Sequence, residues 1–212
     1  MIKALLFDFG SVLSYSLFER HALSEKRLGL AVGSLTWLGP FEPDKDDLWQ
    51  AMQTQKIGER DYWAFRAKEV GELVGKNWQM PDLLQAVSDP DKLIRPELEA
   101  IIHRAKRAGL KVGILSNELE LFYGEEILNQ LEVLKKMDFI IDATHTHILK
   151  PDPRAYQLAL EALAVNADQV LFIDDQRRNV TGAEAVGLRA IHFDITQVPK
   201  TLHDIDQVLG WM

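Results

Sequence analysis

After Pro90 the chain repeats one pattern: a short apolar run, a polar residue at its end, then a helical stretch. The runs are KVGIL at 111–115, DFII at 138–141, VLFI at 170–173 and RAIHF at 189–193. A fifth, residues 3–9, stands near the N-terminus and is bounded by Gly10. Short, apolar and bounded in this way, each predicts a buried strand. Helical patterns fall between them at 97–108 (opened by Pro96 and ended by Gly109), 119–134, 154–164, 179–186 and 203–209. Strands and helices that alternate like this fold as βαβ units around a parallel sheet.

Residues 15 to 90 break the pattern. No buried strand is evident there. Amphipathic helical stretches are expected at 17–30, 46–55 and 60–74, the last with Tyr62, Phe65, Glu69 and Leu73 at helical spacing. Gly39-Pro40, Pro43 and Pro81 punctuate the segment. The expected architecture is therefore α/β: a doubly wound parallel sheet, Rossmann-like, built from residues 1–14 and 90–212, with an inserted α-helical cap at 15–89.

With 212 residues the chain is long enough for a well-buried core. Its formal charge of −8 disfavours broad contact with nucleic acid or anionic membranes, so neither is expected as a partner. There is no cysteine, which excludes disulfides and thiolate chemistry. No apolar run approaches the roughly 20 residues that span a bilayer. No basic region followed by a long apolar stretch opens the sequence, so a cytoplasmic location is expected.

Ligands bind open parallel sheets at the carboxyl ends of the strands. The polar residues cluster at those ends. Asp8 follows LLF, Ser116 and Asn117 follow VGIL, Lys150-Pro151 closes the loop after the 138–141 run, and Asp174-Asp175 follows VLFI. Singly, each has a plain structural explanation: a turn residue, a helix cap, a solvated lysine, a pair complementing a helix dipole. Jointly they place three acids, a hydroxyl, an amide and an ammonium around one crevice. Three close carboxylates repel unless a cation sits among them, and a hard divalent ion such as Mg²⁺ suits an all-oxygen set. The lysine and the Ser116-Asn117 pair then suit an anion, and a phosphoryl group bridging Mg²⁺ and Lys150 meets both needs.

On these residues the sequence resembles the haloacid dehalogenase-like (HAD) hydrolase superfamily. LLFDFGSVL resembles its first motif, ILSN its second, LKPDPRAY its third and FIDDQRRNVTGAEAVGLRAI its fourth. IGERDYWAF at 57–65 resembles a cap segment of phosphatase-like members. The resemblance implies a nucleophilic Asp8 that forms an aspartyl-phosphate, with Lys150 as the second catalytic group. It implies Mg²⁺ held by Asp8, the Gly10 carbonyl and Asp175, with Asp174 reached through water. Ser116, Asn117 and Lys150 would hold the phosphoryl oxygens of a small phosphorylated substrate, and Asn179 would brace the fourth-motif loop.

One position departs from the pattern. Phosphatases of the superfamily usually carry a general-acid aspartate two residues after the nucleophile, and here that residue is Gly10. General acid–base help is worth about 10² to 10⁴ in rate. Substrates with good leaving groups, such as sugar 1-phosphates, acyl phosphates or aryl phosphates, are therefore expected. A metal-independent 2-haloacid dehalogenase is the alternative, although such members usually lack the paired acids of the fourth motif. A weakly catalytic protein that binds a phospho-ligand or a protein partner is a third. Elsewhere, Trp37, Trp49, Trp63 and Trp78 are expected in the core of the cap, and His145 and His147 on opposite faces of an extended segment. Asp44, Asp46 and Asp47 are expected at a solvated helix start, and Arg20 and His21 in an early cap helix.

Overall fold

A computed structural model describes residues 1–211. In chain order it contains β1 (Ala4–Phe7), α1 (His21–Leu28), α2 (Asp47–Gln53), α3 (Glu59–Leu73), α4 (Met80–Val87), α5 (Pro90–Leu93) and α6 (Pro96–Arg107). β2 (Lys111–Ser116), α7 (Leu119–Leu128), β3 (Phe139–Asp142), α8 (Ala143–Thr146) and α9 (Pro153–Leu163) come next. β4 (Val170–Asp174), α10 (Arg177–Ala185), β5 (Arg189–His192) and α11 (Val198–Leu209) complete the chain.

The strands form one parallel sheet in the order β3-β2-β1-β4-β5. From β1 the chain builds outward through β2 and β3, then returns to the other side of β1 for β4 and β5. That reversal opens a crevice at the carboxyl ends of the central strands.

Period-two alternation decides which residues face which layer. Leu5 and Phe7 of β1, with Val112, Ile114, Leu171 and Ile173, pack against Leu98 and Ile102 of α6 and Ile205 of α11. Ala4 and Leu6, with Val170 and Phe172, face Ala155, Tyr156, Ala159 and Leu163 of α9. The three central strands are buried on both faces, which is why they are almost continuously apolar. Among the described residues, no helix is long and apolar enough to cross a membrane.

Helices α1 to α4 pack on one another and, through α4, on α7, and their apolar residues join the same buried cluster as Leu5 and Phe7. Phe18 anchors them, with ring centroids 5.5 Å from Trp37, 5.3 Å from Trp49 and 5.4 Å from Trp63. Asp46 is not the solvated helix start the sequence suggests. It is 2% exposed. Its carboxylate accepts from Trp49 N at 2.8 Å and Tyr62 Oη at 3.0 Å, and pairs with the Arg66 guanidinium. A charge this deep persists because it is paired and hydrogen-bonded.

Several helices differ from their sequence patterns for local reasons. The 119–134 pattern breaks because Gly124 takes a left-handed φ of 71°, and α7 ends at Leu128. α4 is unexpected from sequence. Pro81 stands in its first turn, where a missing N–H costs nothing, so the residue that looked like a break begins a helix. Pro199 does the same for α11, which starts before 203. α1 is shorter than its pattern and closes at Gly29 with φ 68°.

Gly182 of α10 sets how closely that helix approaches the loop before α9. A Cβ there would lie 2.8 Å from Pro151 Cβ and 2.9 Å from Tyr156 Oη, and Tyr156 is pinned by its 2.7 Å bond to the Asn179 carbonyl. Gly182→Val is expected to destabilise the fold by about 1–3 kcal/mol through overpacking. The check is a lower urea midpoint with an unchanged m-value.

Candidate active site

The site begins where β1 ends. Asp8 N donates to the Ile173 carbonyl at 2.9 Å, which seats Asp8 beside the end of β4 and hence beside Asp174. The turn that follows is tight, and its left-handed residue is Ser11 (φ 60°), not Gly10. Gly10 has φ −63° and ψ 133°, a conformation open to any residue, so the backbone does not require glycine there.

Arg95, 2% exposed, holds the turn from below. Its Nε donates to the Val12 carbonyl at 3.0 Å and its Nη2 to the Ser11 carbonyl at 3.2 Å, while Glu19 neutralises it. Nothing in the sequence singled out Arg95. It acts through backbone carbonyls, which leave no motif.

Lys150 is the centre of the cluster. Its Nζ lies 2.9 Å from Asp8 Oδ1 and 2.7 Å from Asp174 Oδ2, enclosed from solvent. Burial alone would lower its pKa, but the pull of Asp174 and Asp8 wins and raises it. Asn117 holds the lysine's backbone: Lys150 N donates to Asn117 Oδ1 at 2.7 Å, and Asn117 Nδ2 donates to the Lys150 carbonyl at 3.2 Å. The Asn117 side chain is thus engaged with the chain itself, which differs from its expected place on phosphoryl oxygens. Ser116, the buried last residue of β2, stands at the same edge.

The two adjacent acids are not equivalent. Asp174 is fully buried and surrounded by donors. Its Oδ1 accepts from Gln176 N at 2.7 Å, Asn179 Nδ2 spans both oxygens at 3.1 Å, and Lys150 closes Oδ2. Asn179 therefore braces this acid. Asp175 is anchored through its backbone carbonyl, which accepts from His192 Nε2 at 2.8 Å. Its carboxyl is pushed well above the usual range by burial first and then by the charges of Asp174, Asp8 and Glu59, with Lys150 opposing only in part. Asp8 rises to about 7, by burial foremost, with Lys150 opposing and Asp174 adding.

One oxygen from each of Asp8, Asp174 and Asp175 falls within 4.8 Å of the others. Three carboxylates face a single ammonium, so the cluster carries surplus negative charge. An oxygen-only donor set with that surplus fits a hard divalent cation.

Asp8, Gly10, Ser116, Asn117, Lys150 and Asp175 all line one cavity, and Asp174 lies behind them. The opposite wall comes from the helical segment and includes Phe18, Arg20, Trp49 and Trp63. Trp37 and Trp78 instead pack within the apolar interior, and His21 stacks edge-on against Trp37 at 4.3 Å. His145 is exposed and pairs with Glu120 at 3.0 Å. His147 takes a left-handed φ of 57° beyond α8.

Three acids of the cavity were not expected, Asp89 and two that pair across to other elements. Glu59 opens α3 and accepts from Arg178 Nη2 at 3.0 Å. Glu118 accepts from Arg60 Nε at 2.6 Å. Adjacent residues of opposite sign on α3 thus reach the first turn of α10 and the loop before α7. The segment IGERDYWAF was the available signal, but it assigns no role to either residue.

A family profile described as haloacid dehalogenase-like hydrolase matches residues 2–187. The chain belongs to that family. The chain is 36% identical over 99 residues to Phosphatase MT3486 of Mycobacterium tuberculosis, covering 47% of this chain and 46% of that one. It is 31% identical over 103 residues to (S)-2-haloacid dehalogenase 4A of Burkholderia cepacia, covering 47% and 42%. It therefore spans less than half the length of either curated relative. Its fold is like that of a HAD phosphatase from Thermococcus onnurineus, with TM-score 0.61 at 17% identity over 99% and 98% of the two chains. The L-2-haloacid dehalogenase RSc1362 gives 0.62 at 20% over 91% and 86%. Likeness at these identities speaks to fold alone.

Within this site, Lys150 is the cation that two buried acids share. Lys150→Met is expected to cost about 3–5 kcal/mol, because it leaves buried charge unpaired. The loss should be larger at pH 8 than at about pH 4, where Asp8, with its pKa raised to about 7, is protonated and no longer needs the lysine. Urea unfolding at the two pH values is the measurement.

Proposed function

We propose that this hydrolase is a magnesium-dependent phosphatase that acts on a small phosphorylated metabolite through an aspartyl-phosphate. The observation that carries the reading is the surplus charge at the sheet edge: Lys150 serves Asp8 and Asp174, and Asp175 stands beside them with its ionised form disfavoured. A cation satisfies Asp175, and a dianionic phosphoryl group then meets both that cation and Lys150. Phosphatases among the curated relatives support the same direction.

In this reading residues 1–14 and 90–212 form the catalytic core and 15–89 a helical cap. Asp8 is the nucleophile. Mg²⁺ would be held by Asp8, the Gly10 carbonyl and Asp175, with Asp174 behind them, and would neutralise phosphoryl charge as a Lewis acid. Lys150 and Ser116 take phosphoryl oxygens, and Asn117 contributes by fixing the lysine's backbone. The core offers no proton donor at Gly10. Leaving groups that are stable as anions, as in sugar 1-phosphates, acyl phosphates or aryl phosphates, are therefore favoured.

Chelation separates this reading from the metal-independent dehalogenase chemistry of other relatives. With p-nitrophenyl phosphate and a panel of sugar 1-phosphates, turnover is expected with Mg²⁺ and lost with EDTA or in Asp8→Asn. Activity that survives either change overturns the reading.

Stability should report the metal independently. Asp8 has a folded-state pKa of about 7, raised from 3.8, so between those values the folded state holds a proton that the unfolded state has released. Stability of the metal-free protein should fall as pH rises through that window. Mg²⁺ binding replaces the proton. Its effect on the melting temperature should accordingly be larger at pH 8 than at pH 5.

A further inference from the structure

The phosphatase reading leaves one chemical task without a residue. Hydrolysis of an aspartyl-phosphate needs a group that takes a proton from the attacking water, and Gly10 has no side chain to do so. A Cβ built on Gly10 would meet nothing within 4 Å, so the space stands open. Other acids around the cavity are engaged. Asp8 carries the phosphoryl group at that stage, and Asp175 belongs to the cation. Glu118 is 7% exposed under Arg60, and Asp89, paired with Arg27 at 3.3 Å, is not among the charges that act on Asp8 and Asp175, whereas Glu59 is. Asp174, behind the cavity, is enclosed by donors.

Glu59 remains. It lies at the N-terminal end of α3, lines the same cavity as Asp8 and Gly10, and keeps 29% of its side chain exposed, enough to meet water. Arg178 Nη2 holds its Oε2 at 3.0 Å, which leaves Oε1 as the proton-accepting atom. We propose that Glu59 is the general base that hydrolyses the aspartyl-phosphate, delivered from the helical segment to replace the acid absent at Gly10, and that Arg178 is its positioning residue. The proposal rests on the phosphatase reading and adds to it.

The step balances without a further reactant. A water oxygen attacks phosphorus as Glu59 takes a proton from that water. The bond from phosphorus to the Asp8 oxygen breaks, and its electron pair returns to Asp8 as carboxylate. Inorganic phosphate leaves, and Glu59 gives its proton to solvent.

The charges facing Glu59 set when it is a base. Burial raises its pKa foremost. Arg178 and Lys150 lower it, and Asp174 raises it. Asp8, Asp175 and Glu118 also lie within its field. The base works ionised, so wild-type kcat should fall as pH drops through its titration. Removing Arg178 takes away a stabiliser of the carboxylate, so Arg178→Gln should move that low-pH limb to higher pH.

Stopped-flow release of p-nitrophenolate with Mg²⁺ present tests the assignment. Glu59→Gln is expected to give a burst of one equivalent followed by steady-state turnover lowered about 10² to 10⁴-fold. Acid-quenched protein should carry one hydroxylamine-sensitive phosphoryl group, the low-pH limb should vanish, and Gly10→Asp in the Glu59→Gln background should restore turnover. An unchanged steady state in Glu59→Gln overturns the assignment. So does a fall in burst and steady state together, with no trapped phosphoenzyme in a protein whose melting temperature is preserved. Failure of the phosphatase reading looks different: wild type releases no phenolate, or Asp8→Asn still does, before Glu59 is altered.

Discussion

The interaction on which the rest of the site depends is the ammonium of Lys150 lodged between two carboxylates. Parallel pairing of β1 with β4 brings Asp8 and Asp174 to adjacent positions whether or not their charges agree. Without a cation, two ionised acids this deep would oppose the sheet register that holds them. Lys150 resolves the conflict, and the neighbourhood is built to hold it. Asn117 fixes its backbone on both sides, Gly182 lets α10 approach Pro151, and Tyr156 ties that helix to α9. Much of what resembles sequence motif is therefore support for one ammonium group.

A single lysine cannot balance three acids, and this shortfall gives the site its chemistry. Asp174 is saturated with donors and acts as a fixed partner for Lys150. Asp175, one residue on, bears the repulsion. Adjacent residues of the same type have been given different electrostatic tasks by where β4 stops and α10 begins. A site whose acids resist full ionisation until a cation joins them is prepared for that cation, and once it is bound, for an anion.

The core was legible in the sequence because it follows periodic rules. Strands buried on both faces must be apolar, and a parallel sheet must collect its polar groups at one edge. That logic places Asp8, Ser116, Lys150 and Asp175 on one cavity from their positions at strand ends. What was missed depends on partners far away in the chain. Asp46 looked like a solvated acid because Arg66, Tyr62 and Trp49 reach it only after the helical segment folds. Arg95 was invisible because it works through the carbonyls of Ser11 and Val12. α4 was missed because a proline in a first turn and a proline that ends a helix are the same letter.

Gly10 shows how a local reading and a spatial one differ. Along the chain it is a missing acid. In the fold its backbone is ordinary and the space beside it is open, while Glu59 enters the same cavity from another element. A proton-transfer group fixed to the sheet edge would be present at all times. One carried on α3 comes from the helical segment, where the pairs Glu59–Arg178 and Arg60–Glu118 hold the start of α3 to the sheet edge. A base on α3 would thus tie water activation to the helical segment, so a phosphorylated Asp8 would be hydrolysed only with that wall of the cavity in place.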